Sequence, residues 1–175
     1  MKTIFFISDT HFCHQNIIRY CNRPFATTDD MNEAMIENWN TVVKPQDHVW
    51  HLGDVGMGFK NEAEFAAVLR RLNGRKRLTV GNHDKIKTPI LHQYFEKIEL
   101  WRNWKDEGFT SSHIPLNVDQ LPYGIQVHGH IHTNLKDGPY INVCVEHTAY
   151  APIPMEDIVE QVRSIQYRSK WVEPR

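Results

Sequence analysis

The chain has 175 residues and a mass of 20.6 kDa, which suits one domain with a core of ordinary size, so we expect a single domain over residues 1–175. Hydrophobic residues make up 41% of the chain, enough for it to fold without covalent cross-links. The formal net charge of −1 excludes a global attraction to nucleic acid or to an anionic membrane.

Three short strands are predicted in the first half of the chain. Residues 3–8, 48–52 and 75–80 have the composition of strands, and each run stops just before a cluster of polar residues and glycine. The first run holds only four consecutive apolar residues, too few for a signal peptide or a membrane span. We therefore interpret it as a buried strand.

Two helices are predicted between these strands. The first covers residues 30–43, where apolar residues recur along one helical face, and either Asp29 or Asp30 is expected to cap it. The second begins at Asn61, with Glu64 three residues later in the register of a capping box.

The second half of the chain predicts more strands and a closing helix. Strands are expected near residues 99–104, 108–112, 125–128 and 140–145, and a helix follows Pro154. The alternation of strands and helices along the whole chain predicts a layered α/β domain.

Cysteine usage bears on the cellular compartment. Cys13, Cys21 and Cys144 form an odd, sparse set without paired spacing, which disfavours a disulfide framework and favours a reducing compartment. Because no targeting segment is recognisable either, the predicted location is the cytoplasm.

Four polar clusters stand out in a chain that contains 11 histidines. They are Asp9–His11, Gly53–Asp54, Gly81–Asp84 and Gly129–His132. The first three each follow a predicted strand, and loops at the carboxyl ends of strands converge in open α/β sheets. Carboxylate, imidazole and amide ligands together suit divalent Mn, Fe, Co, Ni or Zn, so the clusters predict a shared metal site.

The same clusters carry a family resemblance. The ordered set Asp-x-His, Gly-Asp, Gly-Asn-His-Asp, a lone His and Gly-His-x-His resembles the calcineurin-like metallophosphoesterase superfamily, over residues 9–132. Residues 9–14 and 22–25 also resemble its compact bacterial and phage-type phosphoesterase subgroup. The resemblance implies a four-layer αββα sandwich of two mixed β-sheets flanked by helices.

The resemblance further implies two divalent metal ions, for which we favour manganese over iron, nickel, cobalt or zinc. Seven residues of the motifs would be the ligands: Asp9, His11, Asp54, Asn82, His113, His130 and His132. Asp54 would bridge the ions, since two close cations need an anionic group between them. His113 is assigned as the only histidine between residues 93 and 127.

The implied reaction is hydrolysis of a phosphate ester by a hydroxide that bridges the two metal ions. The resemblance gives Asp54 and His83 the catalytic roles, with His83 as the general acid that protonates the leaving oxygen. The expected partner is a phosphate-ester small molecule or a nucleotide.

A phosphodiester is favoured over a monoester as the substrate. The protein-phosphatase branch of the family follows Gly-Asp with an Asp and an Arg, which the sequence after Asp54 lacks, and the chain has no room for a large cap domain. Arg23, His14 and His128 are candidate substrate contacts beside the motifs. Cys13 is expected to be a small buried side chain rather than a soft extra ligand.

Two other functions compete with this prediction. The first is a nuclease or nucleic-acid end-processing enzyme that uses the same site, although a near-neutral charge disfavours nucleic acid. The second is a non-catalytic metal-binding scaffold, which would be expected to have lost a ligand or the acid. No membrane partner is expected, and nothing in the sequence predicts an oligomeric state.

Overall fold

Two β-sheets form the centre of the fold in the computed structural model, which describes residues 2–57 and 61–171. The strands are β1 (Ile4–Ile7), β2 (His48–His51), β3 (Arg75–Thr79), β4 (Lys97–Glu99), β5 (Trp101–Trp104), β6 (Phe109–Ser112), β7 (Gln126–His128), β8 (Tyr140–Asn142) and β9 (Ile153–Pro154). The helices are α1 (Gln15–Tyr20), α2 (Thr28–Val42), α3 (Glu62–Arg71), α4 (Pro89–Tyr94) and α5 (Met155–Trp171).

Both sheets are mixed. The first has the order β4-β3-β2-β1-β9, parallel except for β9, and the second has the order β5-β6-β7-β8, parallel except for β5. In the first sheet Ile7 pairs with His51, which pairs with Leu78, so β1, β2 and β3 end side by side. The predicted fold class, two mixed sheets flanked by helices, is confirmed.

Alternating side chains of β1 reach two separate cores. Phe5 and Ile7 belong to the core beneath α2 and α3, while Phe6 belongs to the core between the sheets. There its ring centroid lies 5.1 Å from that of Trp104, in an edge-on arrangement typical of aromatic pairs. The buried Ile158 of α5 packs into this second core. The strand thereby anchors both layers of the fold.

The helix starts follow the capping chemistry of the sequence, with one correction. Thr27, and neither Asp29 nor Asp30, caps α2: its hydroxyl accepts a bond from the Asp30 amide at 3.1 Å, and the Asp30 carboxylate accepts one from the Thr27 amide. Thr27 has the extended backbone that a cap requires, whereas Asp30 is already helical. Asn61 caps α3, as predicted, by accepting from the amide of Glu64. The Glu64 carboxylate accepts from the side-chain amide of Asn61 rather than from its backbone, so the predicted capping box is only half formed.

Two predicted strands have different bounds in the structure. The run near 99–104 breaks at Leu100, because the chain leaves the first sheet after β4 and enters the second with β5. The run near 140–145 ends at Asn142, whose side chain accepts a bond from the amide of Cys144 at 2.9 Å, and a 3-10 turn follows over Val145–His147. Within the described residues, no helix combines the length and apolarity needed to cross a membrane.

Candidate metal centre

The predicted ligands come from loops at one end of both sheets. Asp9 follows β1, Asp54 follows β2 and Asn82 follows β3, so all three lie at the aligned carboxyl ends of parallel strands. His113 and His130 follow β6 and β7 of the second sheet. The sandwich of two sheets thus brings residues that are more than a hundred positions apart to one place.

One cluster, here called the first ligand group, consists of Asp9, His11 and His132. Their candidate ligand atoms all lie within 4.8 Å of one another. Asp9 Oδ2 accepts bonds from the Ser8 hydroxyl and the His130 amide at 2.6 and 2.8 Å, which leaves Oδ1 for a different partner. Asp9 Oδ1 and His11 Nε2 are buried without a hydrogen-bond partner in the protein.

The second ligand group consists of Asp54, His113 and His130, again within 4.8 Å. Asn82 joins it, because its Oδ1 lies 2.9 Å from His113 Nε2. Asp54 Oδ2 lies 3.5 Å from His113 Nε2 and 3.6 Å from His11 Nε2. The carboxylate of Asp54 therefore stands between the two groups, where a bridging ligand would be.

The donor set fits divalent cations. Ligand atoms at about 2.1 Å from one ion are at most about 4.2 Å apart. The nitrogen–oxygen separations of His113 from Asn82 and Asp54, and of His11 from Asp54 and Asp9, span 2.9–3.9 Å. Buried polar atoms without a partner are costly, so the orphaned atoms of Asp9 and His11 point to a bound ligand. Carboxylates, imidazoles and one amide oxygen suit borderline divalent metals.

Hydrogen bonds hold two of the imidazoles in the orientation that a metal ligand needs. His113 Nδ1 donates to the carbonyl of Leu52 at 2.8 Å, so in the neutral ring Nε2, which is directed at the second group, is the nitrogen that can bind a metal ion. His132 Nδ1 donates to Glu146 Oε1 at 3.2 Å, and its Nε2 lies 3.8 Å from Asp9 Oδ1. Partners of this kind commonly orient metal-binding histidines.

Glu146 is a residue of the site that sequence reasoning missed. It lies in the 3-10 turn after β8, outside every motif, and its only sequence signal is a lone acidic residue beyond a strand. Burial by itself raises its pKa, but the hydrogen bond with His132 and the charge of Arg23 lower it to about 2. Glu146 is therefore an ionised, buried carboxylate behind the first ligand group.

Arg23 has a different position from the one predicted. All of its guanidinium donors are taken: Nε and Nη2 donate to Glu146, while Nη1 and Nη2 reach the carbonyls of Thr10 and Asp9 and the sulfur of Met31. Its side chain is fully buried. The predicted substrate contact of Arg23 is therefore corrected, because all of its guanidinium donors are bonded within the protein. Arg23 instead ties the loop that carries Asp9 to the 3-10 turn that carries Glu146.

Five of the candidate ligands have a left-handed backbone. Their φ angles lie between 49° and 72°: Asp9, His11, Asp54, His130 and His132. For a residue with a side chain, this conformation costs about 1–2 kcal/mol and persists only where the surroundings enforce it. Such strain gathers at functional sites, in agreement with a shared site at these five positions.

Asp84 connects two of the loops. Its carboxylate accepts bonds from the amides of Asp54, Val55 and Gly81 at 2.8–3.0 Å. It therefore ties the loop after β2 to the loop after β3 rather than contacting His83. A Cβ at Gly81 would overlap the carboxylate and amide of Asp54, so glycine is required there.

His83 and His14 lie beside the first ligand group. The amide of His83 donates to Asp54 Oδ1 at 2.8 Å, while its exposed ring is 5.6 Å from the ring of His11. Both histidines line a pocket of about 330 Å³ that also includes His132 and Tyr20. The predicted general acid His83 and the candidate substrate contact His14 thus share one cavity.

His128 and Cys13 lie away from that cavity. His128 is fully buried, its Nδ1 donates to the carbonyl of Gly129 at 2.8 Å, and burial lowers its pKa. The predicted substrate contact of His128 is corrected accordingly. Cys13 is half-buried against Asn32, and burial raises its pKa to about 11. The candidate metal groups among the described residues do not include Cys13, in agreement with a packing role.

The fold and the site together are typical of metal-dependent hydrolases whose ligands sit at strand ends. The model of the calcineurin-like phosphoesterase family matches residues 2–169. The chain belongs to this family. Membership implies a metal-dependent phosphoric ester hydrolase that acts on a phosphate-ester substrate and uses divalent metal ions.

Three relatives support the assignment. An uncharacterised protein of Methanocaldococcus jannaschii is 40% identical over 93% of this chain and 92% of its own length. The gene 66 protein of Mycobacterium phage D29 is 32% identical over 85% of this chain and 68% of its own length. The crystal structure of a protein of unknown function from Aquifex aeolicus superimposes with a TM-score of 0.73 at 30% identity, covering 91% of this chain and 99% of that one. These names specify no substrate.

Proposed function

We propose that the protein is a binuclear metal-dependent phosphodiesterase. The two ligand groups would each hold one divalent ion, with Asp54 between them and manganese the favoured metal. When bound, the ions would supply an activated water and neutralise the charge on the phosphoryl oxygens.

The observation that carries the choice of a diester is a pair of pockets, each lined by residues of one ligand group. The pocket with His83 is bounded by His11 and His132 of the first group. A second pocket, of about 360 Å³, is bounded by Asn82 and His113, which belong to the second group. A phosphate ester held between the groups therefore has room for two substituents, which a diester has and a monoester lacks.

His83 is proposed as the general acid. Its amide is bonded to Asp54, which fixes its backbone to the centre, while its exposed ring is free to reach a leaving oxygen. Asn82 and His83 are consecutive, yet they line different pockets. A proton donated by His83 would therefore go to the substituent in its own pocket, and that substituent would be the leaving group.

The test is a metal-supplemented assay on bis(4-nitrophenyl) phosphate and 4-nitrophenyl phosphate, with Mn, Fe, Co, Ni and Zn tried in turn. We expect the diester to be preferred. Asp54→Asn should lose activity by a factor of at least about 100, because one carboxylate serves both ions. His83→Ala should lose about 100-fold or more on poor leaving groups and much less on 4-nitrophenolate, which needs little protonation.

Matched controls keep the result interpretable. Asp119→Asn and His92→Ala change the same residue types at exposed positions away from the centre, and both should keep wild-type activity. Wild-type inactivity with every metal would favour the non-catalytic scaffold. Activity confined to nucleic acid, with a steep salt dependence, would favour the nuclease. Unchanged activity of Asp54→Asn would contradict the proposed centre.

A further inference from the structure

The pocket on the side of the second ligand group is apolar at its rim. Three large side chains there are exposed to solvent: Leu100 by 69%, Trp101 by 55% and Ile114 by 47%. Leu116 extends the same wall. Exposed apolar surface that is contiguous with a cavity commonly marks a ligand or partner site.

The backbone holds this apolar wall against the candidate ligands. Trp101 pairs with Ser112 in the ladder between β5 and β6, so the indole lies next to the residue that precedes His113. The Val80 amide donates to the carbonyl of Glu99 at 2.9 Å, which places the adjacent Leu100 beside the loop that leads to Asn82. An occupant of this pocket therefore lies against two ligands of the metal centre.

The two pockets differ in chemistry. The pocket of His83 is lined by four imidazoles and the phenol of Tyr20. None of the described residues that line the apolar pocket is Asp, Glu, Lys or Arg. The hydroxyl of Ser112 is already bonded to the Ile114 carbonyl and the Gln126 amide. A flat, uncharged ring suits such a wall, since an aromatic face stacks on indole and needs few polar partners.

We propose that the apolar pocket binds an aromatic substituent of the phosphodiester, stacked on Trp101, and that this substituent stays on the phosphate product. This proposal rests on the proposed function. Water adds its hydroxyl to phosphorus and gives its other proton to solvent. The P–O bond to the other substituent breaks, and that oxygen takes the proton of His83, which solvent then replaces. The aryl or nucleoside group opposite keeps its P–O bond and leaves with the product.

The experiment compares diesters that share one leaving group and differ in the retained group. The substrates are bis(4-nitrophenyl) phosphate, thymidine 5′-(4-nitrophenyl phosphate) and methyl 4-nitrophenyl phosphate, each tested on the manganese-loaded protein. Trp101→Ala is expected to lower kcat/KM about 10-fold or more for the substrate whose ring occupies the pocket, by loss of stacking. The methyl ester should change less than about twofold, because it has no ring to stack. The losses measured with the thymidine diester and with bis(4-nitrophenyl) phosphate show which ring the pocket prefers.

Two further variants act as controls. Trp101→Phe should restore most of the preference for aromatic over methyl esters, since it returns an aromatic face. Tyr20→Ala removes an exposed aromatic side chain from the other pocket, so it should change all three substrates by a similar factor.

Several outcomes would overturn the proposal. Equal losses on all three diesters in Trp101→Ala would mean that the indole acts on something other than the retained group. Trp101→Ala could instead keep the preference for aromatic diesters and sediment as a monomer where the wild type sediments as a dimer. The apolar wall would then be an interface between copies of the chain. In both cases the wild type still hydrolyses diesters, so the proposed function survives. Inactivity of the wild type on every diester contradicts both.

Discussion

Replacement of Glu146 by glutamine tests how the first ligand group is supported. Glu146 Oε1 accepts bonds from Arg23 Nε and Nη2 at 3.0 and 2.8 Å and from His132 Nδ1 at 3.2 Å. Glutamine keeps the size of the side chain and one accepting oxygen, but it removes the negative charge. The substitution therefore isolates the charge from the packing.

The expected magnitude follows from burial. The side chains of Arg23 and Glu146 are 0% and 4% exposed, so Glu146→Gln leaves a buried guanidinium without its counter-charge. Breaking a buried ion pair costs about 3–5 kcal/mol, and we expect the lower end because an oxygen still accepts. A weakened partner for His132 should also reduce affinity for the first metal ion, by roughly 10- to 100-fold.

Two measurements separate these effects. Urea unfolding of the chelator-treated protein gives the loss of unfolding free energy, and calorimetric titration with Mn²⁺ gives the affinity of each ion. Glu33→Gln is the matched control, since Glu33 and Arg71 form the same type of pair between exposed side chains. We expect little change in that variant, because solvent screens the pair.

One result would refute this reasoning. If Glu146→Gln unfolds like Glu33→Gln and binds both Mn²⁺ ions like the wild type, neither the buried charge nor the orientation of His132 depends on Glu146. A loss of stability with unchanged affinity would keep the ion-pair argument and remove the role in metal binding.

Two further predictions concern the loops and the pH dependence of stability. A Cβ at Gly129 would overlap the Ser8 hydroxyl and Asp9 Oδ2, so Gly129→Ala should cost about 3 kcal/mol or more and abolish the Mn²⁺-dependent rise in melting temperature. Gly124→Ala is the control, since a Cβ there has open space and the only cost in stability comes from its φ of +63°. Equal losses of stability in the two variants would contradict the steric argument. Burial, with a smaller contribution from His113, lowers the pKa of His51 from 6.5 to about 3. Folding therefore favours the neutral ring, and its share of stability is lost as pH falls from about 6.5 towards 3, by up to about 1.4 kcal/mol per pH unit. The unfolding free energy, measured with urea at several pH values in this range, should fall less steeply with pH in His51→Gln than in the wild type. An identical dependence on pH in the two proteins would contradict the assignment to His51.

Much of the fold was predictable because its signals are local. The strands near 3–8, 48–52 and 75–80 and the helix that starts at Asn61 follow from composition, spacing and capping chemistry within a few residues. The break at Leu100 was not predictable, since the residues on both sides favour strand equally. Only the partners available in two different sheets decide where one strand ends and the next begins.

The candidate site divides in the same way. Side-chain type and order determined which residues could bind metal, because the motif pairs Asp9–His11 and His130–His132 each carry two ligands one residue apart. Their left-handed backbones, by contrast, are imposed by contacts with other loops, which no local pattern reveals. Glu146 and Trp101 belong to no motif at all.

By itself, then, the sequence determined the class of chemistry: a carboxylate, histidine and amide set in the order of one family, at the ends of strands. The tertiary structure alone decided the positions of Arg23 and His128, the support from Glu146 and the two unlike pockets. The physical reason is distance along the chain. A metal ligand is recognisable from its neighbours, whereas a buried ion pair over 123 positions or a pocket between two sheets exists only after the sheets have packed.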